Sequence, residues 1–78
     1  MILYCFDLHS DNYNRYNTIK RRFYYNLRKM NLPEAFWNTK SVLCVDETQE
    51  QALDAFFLKY KDDLTLFKGK IDRLEKLY

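Results

Sequence analysis

The sequence predicts an α+β domain in which two helices lie on one face of a small sheet. Three observations carry that expectation. The chain opens on an apolar run, Met1-Ile2-Leu3-Tyr4-Cys5-Phe6, that stops at Asp7. Apolar residues then recur at helical spacing from Tyr13 to Met30. Two shorter apolar runs, Val42 to Val45 and Leu64 to Phe67, flank a second helical segment. At 78 residues the chain has room for one domain, residues 1–78, and for about one layer of helices on one sheet.

The opening run reads as a central strand buried on both faces, because six apolar residues in succession leave no polar phase. His9-Ser10-Asp11-Asn12 is a turn cluster that ends the strand and offers helix N-caps. The helix from Tyr13 to Met30 carries Tyr16, Ile19, Phe23, Leu27 and Met30 on one stripe, which reads as core. Arg15, Arg21, Arg22, Arg28 and Lys29 fall on the opposite arc, and Lys20 lies outside it. Asn31 suits a left-handed C-cap, and Leu32-Pro33 prevents continuation.

Ala35 to Val45 is extended, with Trp37, Thr39, Ser41, Leu43 and Val45 in one phase and Phe36, Asn38, Lys40, Val42 and Cys44 in the other. It either runs through as one strand or turns at Asn38-Thr39-Lys40 into a hairpin. Thr48 and Gln51 have capping-box spacing and open a helix whose apolar side is Leu53, Phe56, Phe57 and Tyr60. Asp62-Asp63 ends it, Leu64 to Phe67 is a strand running toward Gly69, and Ile71 to Tyr78 fits a short helix better than a strand. With a right-handed crossover after the first strand, this order is of ferredoxin-like type, βαβ(β)αβ.

Composition limits the function classes. Two cysteines, each inside an apolar run, are too few for a disulfide scaffold or a zinc site and read as buried thiols in a reducing compartment. No signal peptide is recognised and no stretch is long and apolar enough to span a bilayer, so the expected location is cytoplasmic, without membrane association. Seven Tyr, six Phe and one Trp suit a surface partly covered by a partner, and a small aromatic-rich domain often completes its core by dimerising. A net charge of +2 argues against strong nonspecific nucleic-acid binding. The distribution matters more: residues 13–32 hold six bases and no acid, whereas 46–63 is mainly acidic. There is no glycine-rich phosphate loop, no Ser/His/Asp set and no metal-spaced Cys or His cluster.

The candidate site residues follow. Asp7 ends the first strand, where a carboxylate either meets a metal or phosphate or caps the next turn. His9 and Asp11, in the turn, are auxiliary candidates. The face of Arg15, Arg21, Arg22, Arg28 and Lys29 is either a phosphate-contacting surface or a solvated helix face that pairs with acids. Phe36 and Trp37 form either a stacking platform or part of a dimer interface.

The element order, opened by Ile2-Leu3-Tyr4-Cys5-Phe6-Asp7-Leu8, resembles the small CRISPR-associated adaptation-nuclease family and its VapD and SinR-like relatives. Phe6-Asp7-Leu8 matches the strand-end signature of that group, Tyr13 to Met30 occupies its helix, and Trp37 followed by Ser41 to Val45 looks like its second-strand region. The resemblance spans nearly the whole chain but rests on a short motif. It implies a homodimer of ferredoxin-like protomers in which Asp7 and its symmetry mate hold Mg²⁺ or Mn²⁺ for phosphodiester cleavage. The chain is shorter than typical members, and its acidic block leaves fewer bases than duplex binding calls for. Three readings follow: a dimeric protein associated with RNA or DNA, extended by the resemblance to a metal-dependent endoribonuclease in antiviral defence; a non-catalytic protein-interaction module, such as an antitoxin-like partner or a phage-encoded inhibitor of a host defence complex; and a basic-helix RNA binder without cleavage.

Overall fold

A computed structural model describes all residues, 1–78. It contains four strands and two helices: β1 (Ile2–Leu8), α1 (Tyr13–Arg28), β2 (Trp37–Thr39), β3 (Val42–Val45), α2 (Glu50–Leu58) and β4 (Leu64–Lys70). The sheet order is β2-β3-β1-β4, and every neighbouring pair is antiparallel. The architecture is therefore α+β, a four-stranded antiparallel sheet with two helices, compatible with a ferredoxin-like arrangement. The long segment from Ala35 to Val45 resolves into the hairpin alternative. Ser41 N–H donates to Thr39 Oγ1 at 3.2 Å inside the turn, and the β2–β3 ladder shifts register between Trp37 and Thr39.

β1 is central, as expected, but it is not buried on both faces. Ile2, Tyr4, Phe6 and Leu8 are buried, Leu3 and Cys5 are half-buried, and Asp7 is exposed. The physical reason is coverage: both helices pack on the side of the even-numbered residues, leaving nothing over the other side. In β3 the same split appears, with Leu43 and Val45 inward and Val42 and Cys44 outward. Both cysteines are free and half-buried on the open side rather than core thiols.

A single twelve-residue core joins β1, α1, β3, α2 and Leu64 of β4. Its centre is aromatic. The Phe23 ring lies 5.3 Å from Phe6, 5.3 Å from Phe56 and 5.1 Å from Tyr60, the last nearly edge-on at 81°. Tilted and edge-on rings at these separations are the favoured aromatic geometries, worth about 0.5–1.5 kcal/mol per pair beyond area burial. Of the helical stripe, Phe23 and Leu27 are buried, while Tyr16, Ile19 and Met30 pack at its margin.

Local signals set the helix ends. Asn12 caps α1 by accepting from Arg15 N–H at 3.0 Å, and Asn31 takes φ 52°, the left-handed conformation suited to leaving a helix. Thr48 does not cap α2. Asp46 accepts from Thr48 N–H at 3.1 Å and opens a 3₁₀ turn, Glu47–Gln49, that leads into α2. The Thr48 hydroxyl donates back to Asp46 instead of accepting from the helix, so Gln49 stands at the cap position without a side-chain bond and α2 begins one residue later than the Thr48–Gln51 spacing implies. Ile71–Tyr78 forms no helix; it is irregular, with Leu77 and Tyr78 exposed. Eight residues with no surface to pack on fall below the length at which a helix holds itself together.

Edge strand β4 is tied down from inside. Lys68 points to the helix side and bridges Asp54 at 2.8 Å and Glu50, while Tyr4 Oη donates to Asp54 at 2.7 Å. An inward-facing charge of this kind also discourages edge-to-edge pairing. No helix is long and apolar enough to cross a membrane.

Candidate nucleic-acid interface

An open groove of about 1700 Å³ runs between α1 and the β2–β3 hairpin, past the C-terminal end of β1. The topology creates it. β3 pairs with β1 only over Ile2 to Cys5, and one further bond, Phe6 N–H to Ser41 C=O at 3.0 Å, closes that ladder. Beyond it the hairpin turns away, so the end of β1 meets solvent between helix and hairpin. Tyr24 Oη donates to Lys40 C=O at 3.2 Å, the one hydrogen bond spanning the floor from helix to hairpin turn. Burial, then the neighbouring Tyr16 hydroxyl and the Asp7 carboxylate, pushes the Tyr24 hydroxyl pKa up.

The helix wall carries a pattern with a four-residue step: Tyr16, Lys20, Tyr24 and Arg28, aromatic and cation in alternation. Residues four apart on a helix are surface neighbours, so this row is a continuous strip. Arg21 and Arg22 flank it, and Lys40 and Trp37 face it from the hairpin. Lys20, Arg21, Arg22, Arg28 and Lys40 therefore line one concavity with two acids, Asp7 and Glu34. None of the five cations is in an ion pair. Unpaired like charges around a low-dielectric hollow focus the field outward and attract anions.

The expected basic face divides in two. Arg21, Arg22 and Arg28 line the groove. Arg15 lies outside the lining and makes a two-point contact with Asp63, at 3.2 and 3.1 Å, tying the start of α1 to the turn before β4. Lys29 sits 4.5 Å from the centre of the Tyr25 ring, a cation–π contact. Lys20, set apart from the basic arc in the sequence, is brought into the site. Neither Tyr24 nor Lys40 is among the residues singled out from the sequence; the four-residue alternation along α1 is the signal that points to Tyr24, whereas Lys40 arrives only through the hairpin.

Asp7 stands at the groove's end, exposed and opposite Thr65 on β4. His9 is exposed and held through its main chain, whose N–H donates to Asp63 C=O at 2.9 Å; Asp11 is exposed in the turn. Nowhere do three His, Cys, Asp or Glu side chains converge closely enough to hold a metal ion. Asp7 is a hard oxygen donor of the kind Mg²⁺ prefers, and Mg²⁺ is commonly bound by one or two carboxylates together with substrate phosphates. The groove lining holds Asp7 and one other acid, Glu34, and Asp7 fits the ion only when a phosphate or a second carboxylate completes the set. Phe36 and Trp37 are half-buried and pack against the core, with Trp37 also forming part of the groove wall.

No family model, curated protein or solved structure matches the chain.

Proposed function

We propose that this chain is a nucleic-acid-associated protein on a ferredoxin-like scaffold, and that the groove between α1 and the hairpin is its binding surface. The observation that supports this most is the set of five unpaired cations lining one concavity in a chain whose net charge is only +2. The sum of charges predicts weak nonspecific binding; the local concentration favours a defined phosphate path. The groove also exceeds the roughly 300–1,000 Å³ of a small-molecule pocket and is open at its surface, which favours a polymer over a metabolite. The strand order β2-β3-β1-β4, with a hairpin between the two helices, supports the ferredoxin-like reading.

The endonuclease extension rests on Asp7. Its carboxylate would be this chain's ligand to Mg²⁺ or Mn²⁺, with a second copy in a homodimer contributing the matching acid. When bound, such an ion supplies polarisation of the phosphate and activation of water. The groove cations would fix the backbone beside it.

The test is one titration series. Labelled oligonucleotides should bind with an affinity that falls steeply with salt, and Arg21→Gln with Arg28→Gln should make the log–log salt dependence shallower by about two phosphate contacts. Cleavage in Mg²⁺ or Mn²⁺ that disappears in Asp7→Ala supports the enzymatic extension. Binding that is absent, or indifferent to salt, removes the nucleic-acid reading altogether.

A second reading has its own observation. The uncovered side of the sheet carries Leu3, Cys5, Val42, Cys44 and Phe67, an apolar strip of the kind a protein partner covers. A non-catalytic interaction module would use that side and be insensitive to Asp7→Ala.

A further inference from the structure

The groove carries more than positive charge, and its rings narrow the choice of ligand. A duplex keeps its bases stacked on one another and offers a protein mainly phosphates, sugars and base edges. Aromatic faces find little to stack on along it unless a base step is wedged open. A single strand exposes the π-faces of its bases, and proteins that bind it pair a cationic track with aromatic platforms. Both components are present here on both walls. α1 alternates Tyr16 and Tyr24 with Lys20 and Arg28, and the hairpin contributes Trp37 beside Lys40. Tyr25, also on the lining, is 56% exposed, with Lys29 over its ring.

Resting on the nucleic-acid reading above, we infer that the groove takes single-stranded nucleic acid, with backbone phosphates on Lys20, Arg28 and Lys40 and bases stacked on Tyr25 and Trp37. Concavity favours the same conclusion. A duplex is a stiff rod whose two phosphate rows diverge, whereas a single strand bends into a hollow between a helix and a hairpin. Ring stacking does not distinguish bases strongly, so the expected sequence preference is small.

Trp37 is the only tryptophan, so its fluorescence reports the groove directly. The intact chain is titrated with a single-stranded RNA, the single-stranded DNA of the same sequence, the corresponding DNA duplex, and poly-glutamate as a polymer of charge without bases. At least one single strand should quench Trp37 and bind about tenfold or more tighter than the duplex. Tyr25→Leu, at an exposed position that folding tolerates, should weaken that binding about fivefold or more without altering its salt dependence. The two sugar arms identify which single strand is preferred, and quenching by either supports the inference. Equal binding of duplex and single strand, or binding without quenching and without loss in Tyr25→Leu, overturns the single-strand assignment while leaving nucleic-acid binding intact. Poly-glutamate binding as tightly as either strand overturns it too, because charge alone would then explain the groove. Failure of every nucleic acid to bind overturns both readings.

Discussion

The two sides of the sheet are built from the same kinds of residue and do opposite things. On the helix side, Ile2, Tyr4, Phe6, Leu43 and Val45 are buried under Phe23, Leu27, Leu53 and Phe57. On the other side, Leu3, Cys5, Val42 and Cys44 stay half-buried beside Phe67, which is 69% exposed. The residues alternate along the same strands, so hydrophobicity does not decide which side becomes the core. The amount of helix decides it. One helix of 16 residues and one of nine close one side of four strands, and no third layer is left over. The helix side thus carries the stability, and the open side is a surface whose apolar character costs the fold little to change.

The largest effect expected from that difference is at Phe23, where β1, α1 and α2 meet. Phe23→Ala removes a fully buried ring in contact distance of five others. Aromatic truncation at such a site costs about 3–5 kcal/mol. Small domains have only about 5–15 kcal/mol in total. Urea unfolding should show a midpoint collapsed toward zero denaturant. A loss below about 1 kcal/mol would mean that the aromatic centre is not the fold's keystone and that the two sides are more alike than their burial implies.

How far this was legible in the sequence depends on whether the relevant relation is local. The two phases of β3, Leu43 and Val45 against Val42 and Cys44, were readable because a strand enforces that period, but which of them faces the helices was not, since all four residues are apolar. Phe23 and Leu27 were readable from helical spacing. The one-sided burial of β1 was not, because Leu3, Cys5 and Ile2, Tyr4, Phe6 are apolar in both phases; only the count of covering helices separates them. Thr48 lost its expected cap role because Asp46 two residues earlier caps a 3₁₀ turn ahead of α2, and spacing alone does not rank the two. The groove was half legible. Arg21, Arg22 and Arg28 stood out as bases on one helix, but Lys40 and Trp37 join them only once the hairpin folds back along α1. Asp7 was visible as a strand-end carboxylate, and its surroundings were not.

An intermediate effect is expected at the edge of the covered side, in the Tyr4–Asp54–Lys68 network. Tyr4 is fully buried except for its hydroxyl's contact with Asp54. Burial, then the hydrogen bond to Asp54 and the charges of Asp54 and Glu50, raise its pKa well above the ordinary value of about 10. A folded pKa raised above the unfolded one means stability that is complete below the unfolded pKa and declines as pH rises past it. Asp54 behaves in the opposite sense: burial opposes its charge, but hydrogen bonds from Lys68 and Tyr4 and the Lys68 charge prevail and lower its pKa. Its contribution is present above the ordinary carboxylate range and is lost as pH falls through the lowered value. Tyr4→Phe should therefore cost about 1 kcal/mol at neutral pH. Relative to the parent, the variant should lose less stability above pH ~10. Urea midpoints measured for both proteins across pH check it, and parallel curves would show that the hydroxyl is not coupled to the fold.

The smallest effect is expected on the open side. Phe67 projects from β4 with more than two-thirds of its surface in solvent, opposite Cys5 on β1. Replacing it by serine removes little buried area, and surface substitutions away from special features stay within about 0.5 kcal/mol. The unfolding midpoint of Phe67→Ser should match the parent at every protein concentration. The comparison is sharpest here because a covering partner would change the answer in a recognisable way. If a second copy lay on this side, the parent's midpoint would rise with concentration and the variant's would not, since association stabilises only the folded form. A concentration-dependent gap of about 2 kcal/mol would then move Leu3, Cys5, Val42, Cys44 and Phe67 into a second core. The difference between the two sheet faces would become a difference between a core closed within one chain and a core closed between two.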